Sequence, residues 1–383
     1  MKSICAVNGV RAAGIKEGKF GLTLVDAQGT AAGVFTSNIV RAPGIELMIE
    51  RIKQGRLEAI IANSGCANAY TGKRGYQDAE QMAAIAGDSL HIDQEHIGVA
   101  STGVIGRYLD LQLIEQQCKK ITPLLANSSD AEDQAARAIM TTDLVSKHAL
   151  VDVGSFRVAG ICKGSGMIAP NMGTMLAFIY TDASIDPNPL KSALRKATRR
   201  TFNRIVVDGD MSTNDIALCT ATGEVGRVSM IEFEQALEKC CRSLAQQIAG
   251  DGEGATKLIE VWVRGASDES TAADIARSIV GSSLVKAAIY GEDPNWGRIL
   301  AAAGKSGHAF DPYDISLWIG NDIHRIPLVD DGKIVVDLNR ARGIIHQKKV
   351  LIEFKMNIGN GEATAWGCDL TEEYVRINGR YTT

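Results

Sequence analysis

The sequence predicts a layered α and β sandwich with mixed or antiparallel sheets, which differs from a doubly wound dinucleotide-binding fold. Three observations lead to this fold class. Segments rich in β-forming residues lie near both ends of the chain, amphipathic helical patterns lie between them, and no GxGxxG motif follows a predicted strand and opens a helix. A chain of 383 residues is long for one ordinary core, so we expect two lobes or one large layered domain.

Predicted strands and helices alternate in the first half of the chain. The β-rich segments FGLTLV, GVFTSNIV and AIIANSG are separated by Gly-containing turns, such as the one from Asp26 to Gly29, and their weak alternation predicts burial on both faces. Apolar residues at helical spacing predict helices over 77–90, 109–125 and 130–140. The strand HIGVASTGVIG follows the first of these helices, and a strand-rich section begins at TTDLVSKHALVDVG.

The second half is predicted to begin with two helices and to end in strands. Asn188 and Pro189 suit the N-cap and the first position of one helix, and Ser229 with Glu232 forms a capping-box pattern at the start of the next. The strand KLIEVWVRGA and a helix over STAADIARSIVGSSLVKAAIYG come next. The segments SLWIGNDIHRIPL, KIVVDL and KKVLIEFKMNIG are predicted to be hairpin-like strands.

Charge and composition argue against a nucleic-acid partner. The formal net charge is -4 and aromatic residues make up 5%, whereas a nucleic-acid surface needs clustered Lys and Arg and aromatic side chains for stacking. The one basic cluster, PLKSALRKATRRTFNR, has helical spacing. This spacing favours a solvated helix face, and a site for a phosphate-bearing ligand is the alternative.

Cysteine usage and hydropathy predict a cytoplasmic protein without a membrane partner. The eight cysteines are scattered, with no CxxC pair and no cluster with histidine, which indicates reduced thiols rather than disulfides or a zinc site. No apolar run approaches the roughly 20 residues of a membrane span, and the N-terminal sequence lacks the apolar segment of a signal peptide.

The familiar cofactor and catalytic motifs are absent from the sequence. The glycines of GDGEGATK do not have the spacing of a phosphate-binding loop, and the acidic segment DGDMSTND places Thr213 and Cys219 where a calcium loop needs glycine and glutamate. The six histidines form no HExxH motif, and none pairs with a GxSxG serine. We therefore expect no cofactor and no metal site.

The stretch ICKGSGMIAPNMGTMLAFIYTD, residues 161–182, offers a nucleophile and a base without histidine. A threonine at a chain N-terminus has a hydroxyl nucleophile and an α-amine of pKa near ~8 that can accept the hydroxyl proton. Attack of the Thr174 hydroxyl on the Gly173 carbonyl would create this N-terminus, and glycine can adopt the strained dihedral angles involved. From these residues alone, a tight turn before a buried strand is the favoured interpretation.

A family resemblance favours self-cleavage at Gly173-Thr174 over an ordinary turn. The segment KGSGMIAPNMGTMLAF resembles the signature of the ornithine acetyltransferase (glutamate N-acetyltransferase) family, with Lys163 eleven residues before Thr174 and Gly173 where the family usually has alanine. Further blocks resemble the family in its order over essentially the whole chain: GVFTSNIVRAP, NSGCANAYTG, AIMTTD, FNRIVVDGDMSTND, GEDPNWGRILAA and WGCDLTEEYVRINGRYTT. The resemblance implies an N-terminal-nucleophile-like sandwich, cut into an α chain (1–173) and a β chain (174–383).

The resemblance also implies roles for individual residues. Thr174 would be the nucleophile, and Thr102 with Gly103 would donate hydrogen bonds to the oxyanion of the tetrahedral intermediate. The substrate contacts would be Lys163 near a carboxylate and Glu253 near an amine, as a carboxylate suits an ammonium group. The remaining implied substrate contacts, both near the C-terminus, are Asn378 and Thr383.

The activity implied is acetyl transfer from N2-acetylornithine to glutamate in arginine biosynthesis, by a heterotetramer of two α and two β chains. The sequence leaves acetyl-CoA open as a second donor. One alternative is an N-terminal-threonine amidase or aminopeptidase, in which water replaces glutamate. Another is an uncleaved small-molecule-binding or scaffold protein.

Overall fold

The computed structural model describes residues 2–169 and 175–380. The predictions made for Gly173, Thr174 and Thr383 concern positions outside these ranges. None of the helices in the described ranges combines the length and the apolar character that crossing a membrane requires.

Strands and helices alternate along the described chain. The strands are β1 (Arg11–Glu17), β2 (Phe20–Phe35), β3 (Arg56–Cys66), β4 (Ile97–Val104), β5 (Lys147–Asp152), β6 (Arg157–Lys163), β7 (Leu176–Thr181), β8 (Ile205–Val206), β9 (Ile216–Ala221), β10 (Leu258–Ala266), β11 (Ile315–Gly320), β12 (Arg325–Asp330), β13 (Lys333–Ile334), β14 (Lys349–Met356) and β15 (Gly361–Cys368). The helices are α1 (Pro43–Arg51), α2 (Gly72–Leu90), α3 (Leu111–Ile121), α4 (Ser129–Ala138), α5 (Pro187–Arg200), α6 (Met230–Gly250), α7 (Glu269–Val280), α8 (Ser283–Tyr290), α9 (Trp296–Gly304), α10 (Leu338–Ile345) and α11 (Glu372–Arg380).

Within the described ranges, the strands form two mixed sheets. The first has the order β4-β3-β2-β9-β7-β6-β5, with β1 paired to the first half of β2, and its parallel pairs are β3 with β4 and β7 with β9. The second has the order β13-β12-β11-β14-β10-β15-β8, with parallel pairs β10 with β14 and β15 with β8. The predicted sandwich with mixed sheets is confirmed.

Helices cover the sheets in layers, with α5 and α6 in the middle. Helices α1 to α4 share one apolar core with the first sheet, and α7 to α10 share another with the second. Helix α6 contacts β5 and β6 of the first sheet and β10 and β15 of the second, so one core joins both sheets through it. The capping-box prediction locates its start correctly, since Ser229 Oγ accepts the backbone N–H of Glu232 at 3.4 Å.

The first 65 residues differ from the prediction in two ways. The turn expected from Asp26 to Gly29 is a register irregularity inside the 16-residue strand β2, because its flanking residues stay paired with β3. Strand β2 ends at Phe35, so the predicted strand over GVFTSNIV stops early. The helix α1 was not predicted, although Pro43 occupies the first helical turn, where its missing N–H costs nothing.

Some helix and strand boundaries later in the chain also differ from the predicted ones. Helix α5 starts two residues before the predicted position, with Asp186 as N-cap and Pro187 in the first turn. The single helix predicted over 270–291 is two helices, since α7 ends at Val280 and α8 begins at Ser283. Strands β14 and β15 follow each other in the chain but are not a hairpin, because β10 lies between them in the sheet.

Candidate active site

Five of the predicted site residues line one cavity of about 120 Å³: Thr102, Gly103, Lys163, Glu253 and Asn378. They come from β4, the end of β6, the loop after α6, and α11. The fold therefore brings together residues from both halves of the chain. Their individual chemical roles stay predictions.

Thr102 and Gly103 lie where the end of β4 is distorted. Gly103 has a φ of 130°, and a Cβ there would lie 2.4 Å from the carbonyl carbon of Gly65 on β3, so only glycine fits. Thr102 is 1% exposed, and its Oγ1 accepts a hydrogen bond from Lys163 Nζ at 3.4 Å. Because the hydroxyl oxygen accepts from Lys163, the hydroxyl hydrogen stays available to donate to a substrate oxygen.

Lys163 is a buried lysine at the last position of β6. It pairs with Leu176 at the start of β7, two positions after Thr174 in the chain. Burial lowers the pKa of its ammonium group, and the charge of Asp143, whose Oδ2 is 3.9 Å from Nζ, opposes this effect. A buried cation beside the cavity can pair with a substrate carboxylate.

A buried charge network holds Lys163 in position. Lys147 Nζ donates to Asp143 Oδ1 at 2.8 Å and to Asp251 Oδ2 at 2.6 Å, and the Lys147 and Asp143 side chains are fully buried. The backbone N–H of Gly164 donates to Asp143 Oδ1 at 2.6 Å. Burial by itself would raise the pKa of Asp143, but the charges of Lys163 and Lys147 lower it to about 2. The network ties the ends of β6 and α6 together.

Glu253 and Asn378 face each other across the cavity wall. Asn378 Nδ2 donates to Glu253 Oε2 at 2.7 Å, and the Glu253 backbone N–H donates to the Ser165 carbonyl at 3.0 Å. A Cβ at Gly166 would lie 2.3 Å from Glu253 Cδ, so a side chain at this position would displace the Glu253 carboxylate. Helix α11 thus places Asn378 at the cavity.

The residue after Thr174 is fixed by a buried carboxyl group. The Met175 backbone N–H donates to Asp215 Oδ1 at 2.9 Å, and Met175 O accepts from the Ile216 N–H at 3.1 Å. Among the described residues, Asp215 Oδ2 has no hydrogen-bond partner, and burial raises the pKa of this carboxyl well above its usual range. The backbone of Met175 is thus anchored to Asp215 and Ile216.

Several cavity residues were not predicted from the sequence. Thr141, Thr142, Ser212 and Asn214 also line the cavity. Asn214 Nδ2 donates to the Ser101 carbonyl at 3.0 Å, directly before Thr102, and so supports the end of β4. These residues belong to the quoted blocks AIMTTD and FNRIVVDGDMSTND, so the blocks were the signal that could have identified them.

The acidic segment that begins at Asp208 is used for backbone contacts. Asp208 Oδ2 accepts the Met167 N–H at 2.6 Å and Oδ1 accepts the Ile168 N–H at 2.9 Å. These bonds hold the segment after Gly166 against the loop before β9. Within the described ranges, no group of three or more His, Cys, Asp or Glu side chains has the arrangement of a metal site.

Comparison with known proteins identifies the family of this sandwich. Residues 7–383 match the ArgJ family. The glutamate N-acetyltransferase of Methanosarcina mazei is 47% identical over 388 residues, covering 99% of this chain and 98% of that protein. The arginine biosynthesis bifunctional protein ArgJ of Archaeoglobus fulgidus is 45% identical, covering 99% of this chain and 100% of that protein. This chain belongs to the ArgJ family, which confirms the family predicted from its motifs.

A solved structure resembles part of the chain. The crystal structure of arginine biosynthesis bifunctional protein ArgJ from Bacillus halodurans has a TM-score of 0.50 and 44% sequence identity. It covers 52% of this chain and 96% of that chain, so the solved chain is about half as long as this one.

Proposed function

We propose that this chain is an acyltransferase of arginine biosynthesis, which moves an acetyl group from N2-acetylornithine to glutamate through an acetyl ester of Thr174. The observation that carries the proposal is the convergence of Thr102, Gly103, Lys163 and Glu253 on one cavity in a chain of the ArgJ family. The fixed position of Met175 beside Asp215 supports it, because the nucleophile must be held rigidly for attack.

The nucleophile forms by self-cleavage. The Thr174 hydroxyl attacks the Gly173 carbonyl, the peptide C–N bond breaks, and the resulting ester carries a free Thr174 amine. Water then hydrolyses the ester, which gives a carboxylate at Gly173 and leaves residues 1–173 and 174–383 as separate chains. The half-length of the solved Bacillus halodurans chain supports a family cut into two pieces.

In the first transfer step, the Thr174 hydroxyl attacks the acetyl carbonyl and passes its proton to the Thr174 α-amine. The Thr102 hydroxyl and the Gly103 N–H donate to the oxyanion that forms. The C–N bond of the substrate breaks, and the departing ornithine amine takes the proton from the α-ammonium group. Lys163 binds the substrate carboxylate, and Glu253 with Asn378 binds the side-chain ammonium group.

In the second step, the amine of glutamate attacks the acetyl ester. The Thr174 amine accepts the proton lost by the attacking nitrogen, the ester C–O bond breaks, and the Thr174 hydroxyl is restored. Glutamate and ornithine both carry an α-carboxylate, so Lys163 can serve in both half-reactions.

Assembly, second donor and location are part of the same proposal. Strands β6 and β7, on opposite sides of the proposed cleavage site, pair along their length, which supports two pieces that stay together after cleavage. The α2β2 heterotetramer is supported by the family resemblance. An assay of acetylglutamate formation without N-acetylornithine decides whether acetyl-CoA is a second donor. All eight cysteines are free and buried, which supports the cytoplasm as the location.

Intact mass measurement tests the cleavage. Two fragments that meet between residues 173 and 174 are expected from the purified protein. A single chain of 40.9 kDa would eliminate the N-terminal nucleophile and leave the uncleaved binding protein as the function.

Initial-rate kinetics test the covalent step. Double-reciprocal plots at several glutamate concentrations are expected to be parallel, because ornithine leaves before glutamate reacts. Intersecting plots would rule out the acetyl-threonine. The amidase alternative predicts equal ornithine release with and without glutamate, whereas the transferase requires glutamate.

A further inference from the structure

A second cavity lies outside the site described above, between β2, the C-terminal end of α1 and the first turns of α5. We call it the cationic groove, and its volume is about 510 Å³. Val34, Phe35, Ile49 and Pro187 contribute its apolar surface. A volume of this size is in the range of small-molecule sites.

The charged side chains that line the cationic groove all have one sign. They are Arg41, Lys53, Lys191 and Arg195, and among the described lining residues there is no Asp or Glu. Lys53 pairs with Glu50 on the exposed side. Within residues 2–169 and 175–380, none of the other three has a carboxylate within 4.0 Å. Arg41, Lys191 and Arg195 are exposed to solvent, and together around one cavity they create a local positive potential that favours an anion.

The cationic groove shares a wall with the candidate active site. Thr36, which lines the groove, donates from its N–H to the Asp215 carbonyl at 3.0 Å and from its hydroxyl to the Ser212 carbonyl at 2.7 Å. The Ala42 N–H donates to the Thr213 carbonyl at 2.9 Å. Ser212 and Thr213 line the active-site cavity on the other side of this loop. A ligand in the groove therefore lies one loop away from the acyl-transfer cavity.

We propose that the cationic groove binds an organic diphosphate that carries an apolar or aromatic group. Arg41, Lys191 and Arg195 hold the phosphate oxygens, because guanidinium and ammonium groups make charge-assisted hydrogen bonds to phosphate. The apolar part packs on the apolar lining, which includes Ile49 and Pro187. A single inorganic anion would leave that apolar surface unused.

This chemistry is shared by nucleotides, which would act as effectors through the common wall, and by coenzyme A thioesters, which would present an acyl group to the cavity. The proposal does not rest on the proposed acetyl transfer, since pyrophosphate and ADP carry no acyl group and bind without turnover. If the protein binds the probes but transfers no acetyl group, the proposed binding site in the cationic groove is supported and the proposed function is refuted.

Isothermal titration calorimetry of the complete protein with pyrophosphate, ADP and acetyl-CoA tests the proposal. ADP and acetyl-CoA are expected to bind with a Kd that rises with ionic strength, and more tightly than pyrophosphate. In the double variant Lys191→Gln with Arg195→Gln, the Kd is expected to rise about tenfold or more, since two charged contacts are lost.

A matched control removes the same charge from the same helix outside the groove, in the double variant Lys196→Gln with Arg199→Gln. Its Kd is expected to stay within about twofold of the unchanged protein, with the difference set by long-range screening alone. Equal weakening in both double variants, pyrophosphate binding as tight as ADP, or no binding of any probe would each overturn the proposal. Tighter binding of acetyl-CoA than of ADP assigns the groove to an acyl donor, and the reverse assigns it to an effector.

Discussion

Replacement of Asp143 by asparagine tests the buried network beside the cavity. The carboxylate lies between Lys147 and Lys163 and accepts the Gly164 N–H through Oδ1 and the Thr141 N–H through Oδ2. Asparagine keeps one acceptor oxygen but removes the negative charge. Two buried ammonium groups would then lack part of their neutralisation, although Lys147 retains Asp251.

The magnitude follows from the pKa of Asp143, which falls from 3.8 to about 2. This difference in pKa corresponds to about 2–3 kcal/mol of stability, at about 1.4 kcal/mol for each pH unit. Because the folded pKa is the lower one, this contribution is present above pH 3.8 and is lost as the pH falls towards 2. The lost backbone hydrogen bond adds to it, so we expect Asp143→Asn to cost about 2–4 kcal/mol.

Thermal unfolding measures the effect. At about 2 °C per kcal/mol for a large domain, the Tm of Asp143→Asn should fall by about 4–8 °C near pH 7, and the difference should shrink between pH 4 and pH 2. The control Glu115→Gln breaks the exposed pair with Lys119 and should change the Tm by about 1 °C or less. An unchanged Tm for Asp143→Asn, or a difference that persists at pH 2, would refute the electrostatic reasoning.

Three further substitutions probe the cavity. Thr102→Val removes one oxyanion donor and should lower kcat about 100-fold or more, and it should also lower the Tm because Lys163 Nζ loses its hydrogen bond to Oγ1. An unaltered kcat would remove Thr102 from the oxyanion hole. Gly166→Ala should displace Glu253 and raise the KM for acetylornithine, whereas Gly343→Ala, a helical site where a Cβ meets nothing within 4 Å, should leave the KM unchanged. Equal KM values for both would contradict the contact. Thr174→Ala should yield one uncut chain, which mass spectrometry detects, and this chain should show no transferase activity in the assay.

The sequence predicts a helix or strand correctly where the spacing of its apolar residues fits only one type of secondary structure. Helix α6 has a capping signal and a continuous apolar stripe, and it was predicted from the correct start. Strand β2 was not predicted as one strand, because Asp26 to Gly29 has turn-forming residues. Only the pairing with β3 on both sides shows that the chain passes through this segment without reversing. Turn propensity is local, whereas sheet pairing is not.

In the candidate site, only residues that lie in recognisable family motifs could be predicted from the sequence. Composition and spacing leave Gly173-Thr174 as an ordinary turn, and the resemblance supplied every named site residue. Neither approach indicated the contact between Lys147 and Asp251, which lie 104 residues apart, because nothing in either local segment marks the other as its partner. A buried ion pair of this kind forms only where the tertiary structure brings distant segments into contact, and the topology of the whole chain determines where this happens.

The position of β7 and β9 in the first sheet has a consequence for refolding after cleavage. These strands follow residue 174 and are inserted between β2 and β6, which precede it. Cleavage would therefore leave two pieces that share one sheet, and it would make refolding bimolecular, with a yield that depends on concentration. The uncut precursor could fold and refold freely, whereas the mature enzyme, once unfolded at low concentration, would be lost.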